Sequence, residues 1–166
     1  LATLSISSAK RKNMANSYTQ IHLQFVFAVK YRNAVIAHTW ETDLYKYITG
    51  IVQNNKHKLI AINGMPDHIH ILVGFHTTQS IADLMRDIKA NSSKWINENN
   101  FTKEKFEWQT GYGAFSYSKS HVQNVINYIN NQKQHHTKQS FLDEYIALLK
   151  KFEIEHNIEY SFKELL

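Results

Sequence analysis

Between residues 18 and 30 apolar and polar positions alternate with a period of two. Ile21, Leu23, Phe25, Phe27 and Val29 share one side, and Gln20, His22 and Gln24 share the other. This is the pattern of a β-strand with one buried face. Residues 39–56 change to helical spacing, with Trp40, Leu44, Tyr47, Ile48 and Ile51 along one side. A short apolar strand over 59–62 follows, then a cluster of turn residues from Asn63 to Asp67. Residues 68–75 alternate again, with Ile69, Ile71, Val73 and Phe75 opposing His68, His70 and Leu72, so a hairpin is predicted. Helical spacing returns over 79–97 through Ile81, Leu84, Met85, Ile88 and Trp95. An aromatic-rich stretch broken by Gly111 and Gly113 leads into a strand near 114–118. Two helices are predicted to follow, 119–134 with a core stripe of Val122, Val125, Ile126 and Ile129, and about 141–152.

The order strand, helix, strand, strand, helix, strand is the split β-α-β arrangement of ferredoxin-like α+β folds. It predicts an antiparallel sheet with helices on one face, plus C-terminal helices. The other sheet face is expected to stay open and to carry His22, Gln24, His68 and His70. A chain of 166 residues, 43% hydrophobic and 13% aromatic, suits one folded domain, assigned to residues 17–166. Residues 1–16, small, polar and basic around Met14, read as an extension outside it.

Composition then narrows the chemistry. The absence of cysteine excludes disulfides, zinc fingers and thiol nucleophiles. No apolar run approaches the roughly 20 residues that span a bilayer, so no membrane association is expected. No secretory signal is recognised, which points to the cytoplasm, with nucleoid association when the protein is bound to DNA. A net charge of +5 permits a polyanionic partner without demonstrating one.

Two features carry candidate chemistry. His68 and His70 are two apart in a strand, so their imidazoles project to the same side, and imidazole is a common ligand of divalent metals. Tyr128 and Gln132 are four apart on a helix, within a polar stripe that also includes His121, Asn124, Asn131 and His135. Each feature alone is better explained by ordinary surface placement. Together they describe a site. Two imidazoles and an amide oxygen supply three ligands to a divalent cation, and the tyrosine stands one turn from the amide. A phenol of ordinary pKa about 10 is a poor nucleophile at neutral pH. A metal that polarises a phosphodiester and stabilises a leaving 3′-oxygen makes its attack feasible. The products are a 5′-phosphotyrosine and a free 3′-hydroxyl, and the conserved ester energy allows rejoining without ATP.

These residues resemble the single-tyrosine HUH transposases of the smallest bacterial insertion sequences and their repeat-associated relatives. The His-hydrophobic-His signature is met by His68-Ile69-His70 within Met65-Pro66-Asp67-His68-Ile69-His70-Ile71-Leu72-Val73. Also similar are Lys30-Tyr31-Arg32, Lys89-Ala90-Asn91-Ser92-Ser93, Trp108-Gln109-Thr110-Gly111-Tyr112-Gly113-Ala114-Phe115 and Tyr128-Ile129-Asn130-Asn131-Gln132-Lys133-Gln134-His135-His136. The resemblance implies that Tyr128 is the nucleophile and that His68, His70 and Gln132 hold magnesium or manganese. It implies a homodimer with composite sites, the histidines of one subunit meeting the tyrosine helix of the other. It also implies a substrate of single-stranded DNA bearing hairpins, cut and rejoined at element ends.

Lys30, Arg32, Arg86, Lys89, Lys94 and Lys133 are candidate phosphate contacts, and each is equally an ordinary surface charge. Tyr112, Phe115 and Tyr117 are candidates for stacking on bases, with core packing favoured for Phe115. Two other readings stay open: a domesticated relative that cuts hairpins at genomic repeats, and a non-catalytic nucleic-acid-binding protein. A ferredoxin-like RNA-binding platform is disfavoured, because the expected open face shows Gln20, His22, Gln24, His68 and His70 in place of exposed aromatics.

Overall fold

The computed structural model describes residues 18–135 and 140–156. The expected extension at 1–16, residue His136 and the end of the chain lie outside them, as does the side chain of His135. Strands β1 (Ile21–Ala28), β2 (Lys58–Met65), β3 (His68–Phe75) and β4 (Gly113–Tyr117) form one sheet in the order β2-β3-β1-β4, every pair antiparallel. Helices α1 (His38–Asn54) and α2 (Ile81–Glu98) connect them, and α3 (Val122–Asn130), α4 (Gln132–His135) and α5 (Phe141–Lys151) follow. This is the predicted α+β arrangement.

One face of the sheet is hydrocarbon. Leu23, Phe25, Phe27, Ile69, Ile71 and Val73 project from β1 and β3 onto Trp40, Leu44, Ile48 and Val52 of α1 and Leu84, Met85, Ile88 and Ile96 of α2. The strict alternation of both strands makes this face uniform. The start of α2 is fixed by Ser80, whose hydroxyl oxygen accepts from the Asp83 backbone N–H, and α5 begins the same way on Ser140 and Asp143. Both satisfy an N–H that a helix start would otherwise leave unpaired.

The second face departs from the expectation of an open surface. It is covered by α3 and α5, through one cluster of Val26, Ala28, Phe115, Phe141, Leu148 and Leu149 and another of Ala61, Leu72, Val122, Val125 and Ile129. The cause is in the strands: Val26, Ala28 and Leu72 continue the row begun by Gln24 and His70, and those apolar side chains need a cover. The polar residues of that row are buried along with them. His68, His70 and Gln24 are inaccessible to solvent.

Two further expectations are corrected. β2 does not end near residue 62 but runs to Met65, leaving a connection of only Pro66 and Asp67 before β3. Gly64 makes this close pairing possible, because a Cβ there would overlap the His68 carbonyl oxygen and stand 3.0 Å from Ile69 Cα. The helix predicted over 119–134 is a short 3₁₀ turn followed by α3 and α4, interrupted at Asn131. No helix among the described residues is long and apolar enough to cross a membrane.

Candidate active site

The site is assembled where β3 begins. Asp67 closes the hairpin turn and accepts a hydrogen bond from Nδ1 of His68 at 2.7 Å. Arg32 steadies Asp67 from the other side, 3.3 Å from its Oδ2, with its guanidinium 4.6 Å over the ring of Phe141. The reversal that delivers Arg32 there holds Tyr31 and Arg32 in left-handed backbone, at φ 55 and 56, a region that non-glycine residues seldom occupy. His70, two residues on, accepts at Nδ1 from the side-chain amide of Gln24 on β1, at 3.1 Å. The two imidazoles stand 5.2 Å apart at 75°.

The covering helices bring the rest. Asn63 of β2 donates its amide to the carbonyls of Ile129 and Asn130, both at 3.0 Å, and so ties the end of α3 to the sheet. That anchor sets Tyr128 and Gln132 over the imidazoles, with the Tyr128 ring 5.9 Å from that of His70. Glu144 of α5 stands between them all. Its Oε2 is 3.6 Å from His68 Nε2 and 3.4 Å from His70 Nε2. Its Oε1 accepts from the Tyr128 hydroxyl and, at 2.9 Å, from the Gln132 amide nitrogen.

The electrostatics follow from burial. Burial alone would raise the pKa of Glu144, but the His70 ring, the Tyr128 hydroxyl and the Gln132 amide outweigh it and hold the carboxyl well below the usual range. Tyr128 moves the other way: burial, then the charge and hydrogen bond of Glu144, push its hydroxyl far above 10. In this state the phenol keeps its proton. Burial lowers His68 below its ordinary 6.5 despite the opposing bond to Asp67, so a neutral ring is favoured there. Asp67 is held below its ordinary value by His68 and Arg32, which together overcome its burial.

The donor set fits a divalent cation. Ligand atoms of His68, His70 and Glu144 lie within 4.8 Å of one another. Among the described residues Gln132 Oε1 is buried without a hydrogen-bond partner, and His70 Nε2 makes no hydrogen bond of sound geometry. Two imidazole nitrogens and a carboxylate oxygen form a mixed set of the kind that a divalent cation accepts with water completing the sphere, and Gln132, whose amide nitrogen faces Glu144, could add its oxygen by turning its amide. Beside the site a cavity of about 300 Å³ is lined by Tyr117, His121, Asn124, Tyr128, Glu144 and Lys151.

Every residue expected to act at the site therefore meets in one place, and within one chain. Glu144 was not expected. Its signal is present in the sequence, since it falls with Phe141 and Leu148 on the buried side of α5, a carboxylate in an apolar stripe. The six candidate phosphate contacts are not gathered in the same way. Arg32 supports Asp67. Lys133 reaches the buried carboxylate of Glu41, and Lys89 donates to the carbonyls of Gln109 and Gly111. Lys30 pairs with Glu107 at 2.7 Å, Arg86 with Asp83 at 2.6 Å and Lys94 with Glu98 at 3.7 Å. Of the aromatics, Phe115 is core, Tyr117 donates its hydroxyl to Gln24, and Tyr112 is exposed.

Comparison with known proteins agrees with this architecture. A family profile described as "Transposase IS200 like" matches residues 17–132. The ISDra2 transposase TnpA of Deinococcus radiodurans is 28% identical over 75 residues, which is 45% of this chain and 54% of that protein. The match thus spans about half the length of that relative. A crystal structure of a candidate transposase from Deinococcus radiodurans superposes with a TM-score of 0.59 at 23% identity, covering 73% of this chain and 97% of the other. A REP-associated tyrosine transposase bound to a REP hairpin gives 0.54 at 16% identity, covering 75% and 74%. These two show a shared fold. With most of its length matched to the family profile, the chain belongs to the IS200-like transposase family.

Proposed function

We propose that the protein cleaves and rejoins single-stranded DNA through a covalent bond to Tyr128. The observation that carries this reading is the convergence of Tyr128, His68, His70 and Gln132 around one carboxylate. His68, His70, Glu144 and Gln132 would hold magnesium or manganese. Bound there, the metal supplies Lewis-acid polarisation of the scissile phosphate and stabilisation of the leaving 3′-oxygen. In this reading Tyr128 attacks the phosphorus once its hydroxyl is released from Glu144, forming the 5′-phosphotyrosine, and the proton it gives up ends on the freed 3′-hydroxyl. The reverse attack by a 3′-hydroxyl restores the diester and the tyrosine. The adjoining cavity, with the Tyr117 ring, Asn124 and Lys151 in its wall, offers a nucleotide next to the cut an apolar wall, an amide and a cation.

A hairpin-bearing strand is the substrate in this reading, supported by the fold shared with a hairpin-bound transposase. Lys30, Arg32, Arg86, Lys89, Lys94 and Lys133 remain its candidate phosphate contacts. The test mixes the protein with labelled single strands from the DNA flanking its gene and magnesium or manganese, then resolves products on a denaturing gel. A protein-linked band that needs metal, is lost with EDTA and His68→Ala, and is absent with Tyr128→Phe is the expected result. An adduct that survives Tyr128→Phe refutes the assignment.

The homodimer implied by the resemblance is part of the same proposal. Mixing inactive His68→Ala and Tyr128→Phe proteins tests its composite sites. Restored cleavage means that helix and histidines are shared between subunits, and continued inactivity means that each site is built within one chain.

A further inference from the structure

The two imidazoles are supported differently. Asp67 is a carboxylate and can only accept, so Nδ1 of His68 carries a proton and its Nε2 presents a lone pair. His70 receives an amide instead. Gln24 is inaccessible to solvent on β1, diagonal to His70 through the Val26–His70 pairing. Its Nε2 donates to His70 Nδ1, and its Oε1 accepts from the Tyr117 hydroxyl at 2.9 Å. An Nδ1 that accepts cannot carry the proton. The neutral ring then carries it on Nε2, facing Glu144 Oε2 at 3.4 Å.

We propose that Gln24 is a positioning residue that sets the tautomer of His70 and thereby decides when the site can take a metal. The proposal rests on the metal-binding reading above. A ring that coordinates through Nε2 must hold its proton on Nδ1. Gln24 can meet that need without moving its backbone or changing its outline. Rotating the amide by half a turn presents Oε1 to His70 Nδ1–H and the NH₂ group to Tyr117, whose oxygen changes from donor to acceptor. Both arrangements keep the two contacts of Gln24, one with His70 Nδ1 and one with the Tyr117 oxygen. His68 is thus permanently ready, and His70 becomes ready only when the amide turns. Tyr117 can serve both arrangements because burial pushes its hydroxyl up to about 12, so it keeps its proton.

The test reads the tautomers directly, by long-range nitrogen–proton NMR of the metal-free protein, with His70 assigned by comparison with His70→Gln. The expected result is Nδ1–H for His68 and Nε2–H for His70, with His70 changing to Nδ1–H when magnesium is added. Gln24→Glu provides a carboxylate that accepts from both Tyr117 and His70. It should hold His70 as Nδ1–H without metal and tighten Mn²⁺ binding in calorimetry. Gln24→Leu keeps the bulk, removes the acceptor, and should weaken Mn²⁺ by about tenfold or more while the protein still melts cooperatively. A doubly protonated or Nδ1–H His70 in the metal-free wild type overturns the proposal. So does Mn²⁺ affinity that Gln24→Leu leaves unchanged. Failure of the underlying reading looks different: the tautomers come out as expected, but His68→Ala binds Mn²⁺ as well as wild type. That outcome removes the consequence for metal loading.

Discussion

The two faces of the sheet come from the same strands, residue by alternate residue, and their chemistry is opposed. Toward α1 and α2, β1 and β3 present Leu23, Phe25, Phe27, Ile69, Ile71 and Val73, all hydrocarbon and all buried. Toward α3 and α5 they present Gln24, His68 and His70, buried just as deeply, with Val26, Ala28 and Leu72 beside them. On the first face burial itself is the stabilising event. On the second, burial of polar groups is costly unless each finds a partner, and the partners come from elements distant in sequence. The comparison teaches that equal burial need not mean equal purpose. The first face holds the strands in place, and the second uses the position so fixed to bring His68, His70, Tyr128 and Glu144 together away from water.

The sharpest way to separate the faces is to delete one oxygen. Tyr128→Phe should lower covalent adduct formation by at least about a thousandfold while the protein still melts cooperatively, with only the modest loss that one missing hydrogen bond to Glu144 brings. Any comparable residual adduct would remove the functional distinction between the faces. Phe25→Ala is the counterpart: about 3–5 kcal/mol of stability lost in urea titration, with cleavage by the remaining folded protein unchanged per molecule. Glu144→Gln should affect both properties. It replaces charge-assisted hydrogen bonds by neutral ones, costing about 1–3 kcal/mol of stability, and should weaken Mn²⁺ in calorimetry.

Acid should distinguish the faces more gently. His68 lies below its ordinary 6.5 when folded, so the unfolded chain binds its proton first. The stability linked to that neutral ring is complete above about pH 6.5 and declines as pH falls. Asp67 and Glu144, both lowered from their ordinary 3.8 and 4.5, add a second loss as pH falls below those values. Urea midpoints between pH 8 and pH 4 should therefore decline, and His68→Gln should flatten the upper part of the curve. A wild-type midpoint constant over that range would contradict the assigned states.

How far the sequence foretold this depends on how local each signal is. The alternation of β1 and β3 defines both faces, and His68 with His70 needs only a period of two to be placed together. Tyr128 and Gln132 needed one helical turn. The cover over the second face is not legible in the sequence because the apolar Val26, Ala28 and Leu72 are outnumbered in that row by Gln20, His22, Gln24, His68 and His70, which read as a solvent-facing side. Glu144 was missed because its helix reads as an ordinary amphipathic one, and its partners lie 12 to 76 residues away. A carboxylate in the buried stripe of α5 was the available clue. The basic residues gave no such pattern: Arg86 and Lys94 pair with neighbours on their own helix, and Lys133 and Lys89 find theirs, Glu41 and the carbonyl of Gly111, only through tertiary contacts.

Gly64 has a consequence for anyone selecting inactive variants. It faces Ile69 across the β2–β3 pairing, one position from Asn63, and any side chain there presses on the backbone of His68. A substitution would spread the hairpin at the point from which His68 projects, and would disturb the Asn63 anchor on α3 at the same time. Such a variant would behave in a genetic screen like the loss of a reacting group, although residue 64 has no side chain to contribute one. A map of inactivating positions would therefore extend beyond the chemistry into β2, and rescue by a second-site change that relaxes the hairpin would distinguish this position from those that no compensating change can restore.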